Sequence, residues 1–126
     1  MSKMNAKEQK LVEQQFDQII NLCVRCRTKE DKELVRRAFD LAVKAHANMR
    51  RKSGEPYVLH PIAVAKIVAG EMELGAKSVI CALLHDVVED TDYTLQDIDD
   101  LFGRTVANII DGLTKISHVL DKDASL

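Results

Sequence analysis

Residues 78–90, SVICALLHDVVED, constrain this chain more than any other stretch. At about 100° per residue, a helix through them gathers His85, Asp86, Glu89 and Asp90 within roughly 140° of its circumference. The remaining arc carries Ile80, Cys81, Leu83, Leu84, Val87 and Val88, an apolar stripe wide enough to be buried against other helices. A core helix that ends in a histidine and three carboxylates faces a high desolvation cost unless those groups find a partner. A divalent cation is the simplest such partner.

The flanking sequence reads as more helices. In residues 7–27, Leu11, Val12, Phe16, Ile19, Ile20, Cys23 and Val24 recur at three- and four-residue steps, which is the pattern of a packing helix. Thr28 and Asp31 offer caps for a second helix from residue 31 or 32 to about residue 48, with Leu34, Val35, Ala38, Phe39, Leu41, Ala42 and Ala45 on its inner face. His46 lies near the end of that face, where a lone histidine is ordinarily a core or boundary residue. Gly54 and Pro56 break the pattern, and Pro61 suits the first turn of a third helix that runs to about residue 72, with Gly75 at the corner. After Asp90, Thr94 and Asp97 form a capping-box signal for a short helix through Phe102 that Gly103 ends. A last helix over residues 105–116 is expected to turn Val106, Ile109, Ile110 and Leu113 inward. No stretch alternates as a half-buried strand would, so the expected fold class is all-α. With 126 residues there is room for one core, approached by an N-terminal packing helix in residues 1–30 and built in residues 31–126.

Composition narrows the function classes. A 46% hydrophobic and 30% charged chain is an ordinary globular balance, and a net charge of −2 gives no reason to expect a nucleic-acid partner. No apolar run approaches the roughly 20 residues of a membrane span, and the N-terminus is too polar for a secretory signal, so a cytoplasmic protein is expected. Cys23, Cys26 and Cys81 are an odd, sparse set, read here as reduced thiols. The C-x-x-C spacing of the first two lacks the second pair that a zinc site needs.

The candidate chemistry lies at His60, His85 and Asp86. The positive end of the helix that starts near Pro61 disfavours a charged imidazole at His60, which biases it toward the neutral form that binds metal. Two imidazoles and a carboxylate suit Mn²⁺, Fe²⁺, Zn²⁺ or Co²⁺, and affinity alone does not choose among them. Glu89 and Asp90 follow close behind, where they could orient a water or move its proton. The loop residues Arg51, Lys52 and Ser53, preceded by Arg50, could receive a phosphate or stack on a base. Seven carboxylates fall within residues 86–100, and those from Asp92 to Asp100 read as a solvated helix face.

The strings RKSGEPYVLHP, ALLHDVVEDTDYTLQDI and FGRTVANIIDGLTK, in this order, closely resemble the N-terminal hydrolase domain of the bifunctional Rel/SpoT family of stringent-response proteins, within the HD superfamily of metal phosphohydrolases. The resemblance implies an all-α HD fold and hydrolysis of guanosine tetra- and pentaphosphate, with release of pyrophosphate from the 3′ position and Mn²⁺ as cofactor. It implies that His60, His85 and Asp86 are metal ligands, that Glu89 and Asp90 act on the attacking water, and that Arg51, Lys52 and Ser53 bind the nucleotide, with Arg51 beside the guanine. The family's later metal-binding Asp, in a segment like LADRLHN, has no counterpart here. The chain is therefore expected to be an N-terminal fragment that binds metal weakly, turns over little by itself and self-associates through apolar surface left uncovered. Two other readings are a stand-alone small alarmone hydrolase or other HD nucleotide phosphohydrolase, and a non-catalytic helical module that binds nucleotide or protein.

Overall fold

Asn5 and Glu8 start the first helix by capping each other: the Glu8 amide donates to Asn5 Oδ1 at 2.8 Å and the Asn5 amide donates to Glu8 Oε1 at 3.0 Å. In this computed structural model the described residues are 3–124, and those from 117 onward are described by their backbone alone. Six α-helices occur among them: α1 (Ala6–Leu22), α2 (Lys29–Ala45), α3 (Leu59–Lys66), α4 (Ala76–Asp90), α5 (Leu95–Phe102) and α6 (Arg104–Ala124). The all-α expectation holds, and the only strand-like pairing among the described residues is an isolated bridge between Arg50 and Pro56. None of the described helices is long and apolar enough to cross a membrane.

Residues 78–90 lie in the central helix, α4. α4 buries Val79, Ile80, Cys81, Leu83, Leu84 and Val87, and it packs against α2, α3 and α6. Each large aliphatic side chain removed from water contributes about 1.5–3 kcal/mol. That stripe fixes the roll of α4, so its polar side must emerge at the edge of the core. α2 supplies Val35, Ala38, Phe39 and Ala42 to the same core, α3 supplies Ile62 and Ala65, and α6 supplies Val106, Ala107 and Ile110.

Local signals set most helix ends. The Thr28 side chain accepts from the Asp31 amide at 3.0 Å, so α2 begins at Lys29, slightly earlier than the spacing predicts. Thr94 and Asp97 make the expected reciprocal cap, at 2.9 and 3.1 Å. Gly103, at φ 98°, ends α5 in a conformation that a side chain would resist.

Five expectations need correction. α1 stops at Leu22 rather than continuing to residue 27, because a tight turn follows in which the Cys26 amide donates to the Cys23 carbonyl at 3.1 Å. That turn brings the Cα atoms of Cys23 and Cys26 to 5.4 Å, and the two residues form a disulfide instead of remaining two thiols. The third helix does not run regularly to residue 72: after Lys66 the backbone widens into a π-helical segment, Ile67–Glu71, closed by the Met72 amide on the Ile67 carbonyl at 3.0 Å. Finally, Leu11, Val24, Ile109 and Leu113 are exposed rather than turned inward: Val24 falls in the turn after α1, and Ile109 and Leu113 border an open groove. α6 also extends well past residue 116.

Candidate metal centre

His85, Asp86 and Glu89 leave α4 near its C-terminal end, on the polar side that the buried stripe dictates, while His60 comes from the first turn of α3. His85 Nδ1 lies 3.5 Å from Asp86 Oδ1, and His85 Nε2 lies 3.5 Å from Glu89 Oε2. His60 Nε2 approaches Asp86 Oδ2 to 3.9 Å. One donor atom from each of His85, Asp86 and Glu89 falls within 4.8 Å of the others, close enough for all three to reach a single ion.

The donor set tests well against a divalent cation. His85 Nε2 is buried and makes no hydrogen bond, with Glu89 Oε2 standing off at 3.5 Å. An unpartnered ring nitrogen among carboxylates is costly by itself. A cation that accepts nitrogen and oxygen ligands removes that cost and offsets the clustered negative charge. The geometry also draws Glu89 nearer the cluster than its expected role on water requires, so its carboxylate lies within reach of the same ion.

Tyr57 joins this cluster to the basic loop. Its hydroxyl donates to Asp86 Oδ2 at 3.2 Å, and burial, helped by the negative charges of Asp86 and Asp90, pushes the phenol well above its ordinary range. The phenol therefore stays a donor at every ordinary pH. Tyr57 also lines a shallow depression of about 530 Å³ together with Arg50, Arg51, Lys52 and Ser53. Arg51, Lys52 and Ser53 thus share one concave surface, and Tyr57 connects it with Asp86. The loop carries them on a hairpin-like turn, in which the Arg51 amide donates to the Glu55 carbonyl and the Gly54 amide to the Arg51 carbonyl, both at 2.9 Å. Gly54 sits at φ 100°, where a side chain would be strained.

His46 underlies Tyr57, with ring centroids 4.9 Å apart. It is 2% exposed, its Nδ1 is 3.1 Å from the Ala42 carbonyl, and its Nε2 has no hydrogen-bond partner. Burial lowers its pKa against the opposing pull of Asp86 and Asp90, which keeps the ring neutral. The core reading of His46 holds, but its place beneath Tyr57 was not legible. Tyr57 itself went unnoticed; its place three residues before His60, at a one-turn spacing, was the available signal.

On the other side of the cluster a groove of about 500 Å³ opens between α3, α4 and α6, with His60, Val64, Leu74, His85, Ile109 and Leu113 among its walls. The acidic residues beyond α4 stay outside the site: Asp97 caps α5, Asp99 receives Arg104 Nε at 2.7 Å, and Asp100 receives Gln96 at 2.9 Å.

Comparison with known proteins agrees with this architecture. The family described as HD domain matches residues 38–124. A guanosine-3′,5′-bis(diphosphate) 3′-pyrophosphohydrolase of Vibrio cholerae is 41% identical over 108 residues, covering 86% of this chain and 15% of the relative. The bifunctional (p)ppGpp synthase/hydrolase SpoT of Escherichia coli is 46% identical over 89 residues, 71% of this chain and 12% of the relative. A GTP pyrophosphokinase of Myxococcus xanthus is 44% identical over 87 residues, 69% of this chain and 11% of the relative. The chain thus spans a small part of the length of these relatives.

Proposed function

The chain belongs to the HD-domain family, and from that premise we propose that it is the hydrolase portion of a (p)ppGpp-degrading protein of the stringent response, using Mn²⁺ to release pyrophosphate from the 3′ position of guanosine 3′,5′-bis(diphosphate). The observation that supports this reading most is the closeness of the His85, Asp86 and Glu89 donor atoms, within 4.8 Å of one another, beside an unpartnered His85 Nε2. Relatives named for the same hydrolysis add to it.

In this reading His60, His85 and Asp86 hold the ion. When bound, a divalent cation supplies charge that polarises a phosphoryl oxygen and makes nearby water more acidic. Tyr57 donates to one Asp86 oxygen, which fixes how that carboxylate presents the other. Glu89 and Asp90 orient the attacking water and accept its proton. As the water oxygen bonds to the phosphorus on the 3′ oxygen, the bond to that oxygen breaks and the proton passes to it, so pyrophosphate and a 3′-hydroxyl nucleotide are released. Arg51 stacks on the guanine, and Lys52 and Ser53 meet the phosphates. The carboxylates and the cationic loop need each other, because acids alone would repel such a ligand.

We place the reaction in the cytoplasm, a reading supported by the lack of any described helix long and apolar enough to cross a membrane. The exposed Val64, Ile109 and Leu113 beside the groove also support self-association of the chain. Light scattering across a wide concentration range tests that, and a constant monomer mass would refute it. The functional reading is tested by incubating the full protein with guanosine 3′,5′-bis(diphosphate) and Mn²⁺ and following pyrophosphate. Release that depends on Asp86 is expected; release unchanged in Asp86→Asn would reject the assignment.

A further inference from the structure

Arg50 stands first in the basic loop and borders the same depression as Arg51, Lys52 and Ser53, while its guanidinium reaches the start of the chain. Its two terminal nitrogens donate to both oxygens of Glu8, at 2.7 and 2.8 Å. The same guanidinium donates to the Gly54 carbonyl at 2.8 Å and to the Lys3 carbonyl at 2.9 Å. One side chain therefore ties the tip of the loop to the first turn of α1 and to the segment before it, across 42 residues of sequence.

We infer that Glu8 is a positioning residue, which through Arg50 holds the basic loop in the shape that receives a phosphorylated nucleotide. The inference rests on the reading of Arg51, Lys52 and Ser53 as nucleotide contacts. Glu8 is well suited to the task, because the Asn5 amide also donates to its carboxylate and restrains it within the first turn of α1. A planar guanidinium held by both oxygens fixes an angle as well as a distance, which a lysine could not do. Glu55 completes the arrangement from within the loop, accepting from Ser53 Oγ at 2.7 Å and facing Arg51 Nε at 3.7 Å. The consequence is electrostatic as well as geometric. Three adjacent cations would repel one another, and neutralising Arg50 leaves Arg51 and Lys52 free of that neighbour's charge. A loop already ordered loses less freedom when a ligand binds, which is how a contact remote from the ligand raises affinity. Glu8 lies outside residues 38–124, the span that matches the HD-domain family.

The test is a double-mutant cycle on the full protein with Glu8→Gln, Arg50→Gln and the pair together. Two dissociation constants are measured for each, one for guanosine 3′,5′-bis(diphosphate) and one for Mn²⁺ alone. Gln at position 8 can still cap Asn5, so α1 keeps its start. Each single variant is expected to bind the nucleotide about five- to ten-fold more weakly, the double variant no worse than the weaker single, and all three to bind Mn²⁺ within two-fold of wild type. Arg51→Ala is run in parallel. If it leaves nucleotide affinity unchanged, or if the wild type binds no nucleotide, the loop reading falls and the inference with it. If Arg51→Ala weakens binding while Glu8→Gln does not, or if Glu8→Gln weakens nucleotide and Mn²⁺ alike, the positioning role alone is overturned.

Discussion

Replacing Tyr57 by Phe should weaken metal binding without disturbing the fold. The substitution keeps the ring that packs 4.9 Å from His46 and 6.1 Å from His60, and removes only the hydroxyl that donates to Asp86. A buried hydrogen bond to a charged acceptor is worth about 1.5–3 kcal/mol. Here the separation of 3.2 Å is long for an O–H donor and the Asp86 side chain is 18% exposed, which puts the value at the low end. About 1.4 kcal/mol is a ten-fold change in a dissociation constant, within the ~10–100-fold loss usual when a ligand's supporting hydrogen bond is removed. At a Mn²⁺ concentration of about 100 times the wild-type constant, the wild type gains ~2.7 kcal/mol from binding and the variant about 1.4. For a domain of this size the rise in melting temperature that Mn²⁺ produces over chelator should be smaller in the variant by about 3–6 °C. Calorimetric titration and thermal melts with and without Mn²⁺ read both quantities. A variant that binds Mn²⁺ within two-fold of wild type, with the same metal-induced shift, would refute the claim that Tyr57 orients Asp86.

Other perturbations separate the roles of neighbouring groups. Glu89→Gln should retain Mn²⁺ and lose turnover, read by titration and by pyrophosphate release; loss of the metal instead would make Glu89 a ligand. Leu84→Ala, at a fully buried position of α4, should cost about 2.7–5 kcal/mol in denaturant unfolding, and a loss under 1 kcal/mol would remove α4 from the centre of the core. Burial pushes the Cys81 thiol up to about 11, so it should resist disulfide-exchange reagents at pH 7.5 until the chain unfolds; rapid labelling of the folded protein would contradict its placement. Arg50, with help from the Asn5 amide, holds the Glu8 carboxyl down at about 2 against an ordinary 4.5. A depressed carboxylate stabilises the folded state fully above about pH 4.5 and loses that contribution as the pH falls toward 2. The melting-temperature difference between wild type and Glu8→Gln should therefore shrink across that window, and a difference that stayed constant would exclude the ion pair as its source.

Much of the helical frame was legible because its signals are local. The Thr94 and Asp97 cap involves residues three apart, and the stripe of α4 repeats within a single helix, so both are visible in a linear string. The same stripe determines where His85, Asp86 and Glu89 emerge, which made the core of the candidate site readable from one segment. What escaped notice depends on distant partners. Tyr57 meets Asp86 across 29 residues, and Arg50 meets Glu8 across 42, with no spacing rule to connect them. Ile109 and Leu113 illustrate a different limit: periodicity identifies the apolar side of a helix, not whether anything covers it. The Cys23 and Cys26 pairing followed from an early end to α1, and helix ends are where tertiary contacts override local preference.

The proposed metal centre requires His60, His85 and Asp86 to hold one cation together. Titration of Mn²⁺ into the metal-free protein, followed by the loss of the free-ion paramagnetic resonance signal, measures that directly. One ion per chain is predicted, with the bound fraction lost in both Asp86→Asn and His85→Ala while the helical circular dichroism persists. Equal binding by wild type and both variants would contradict it.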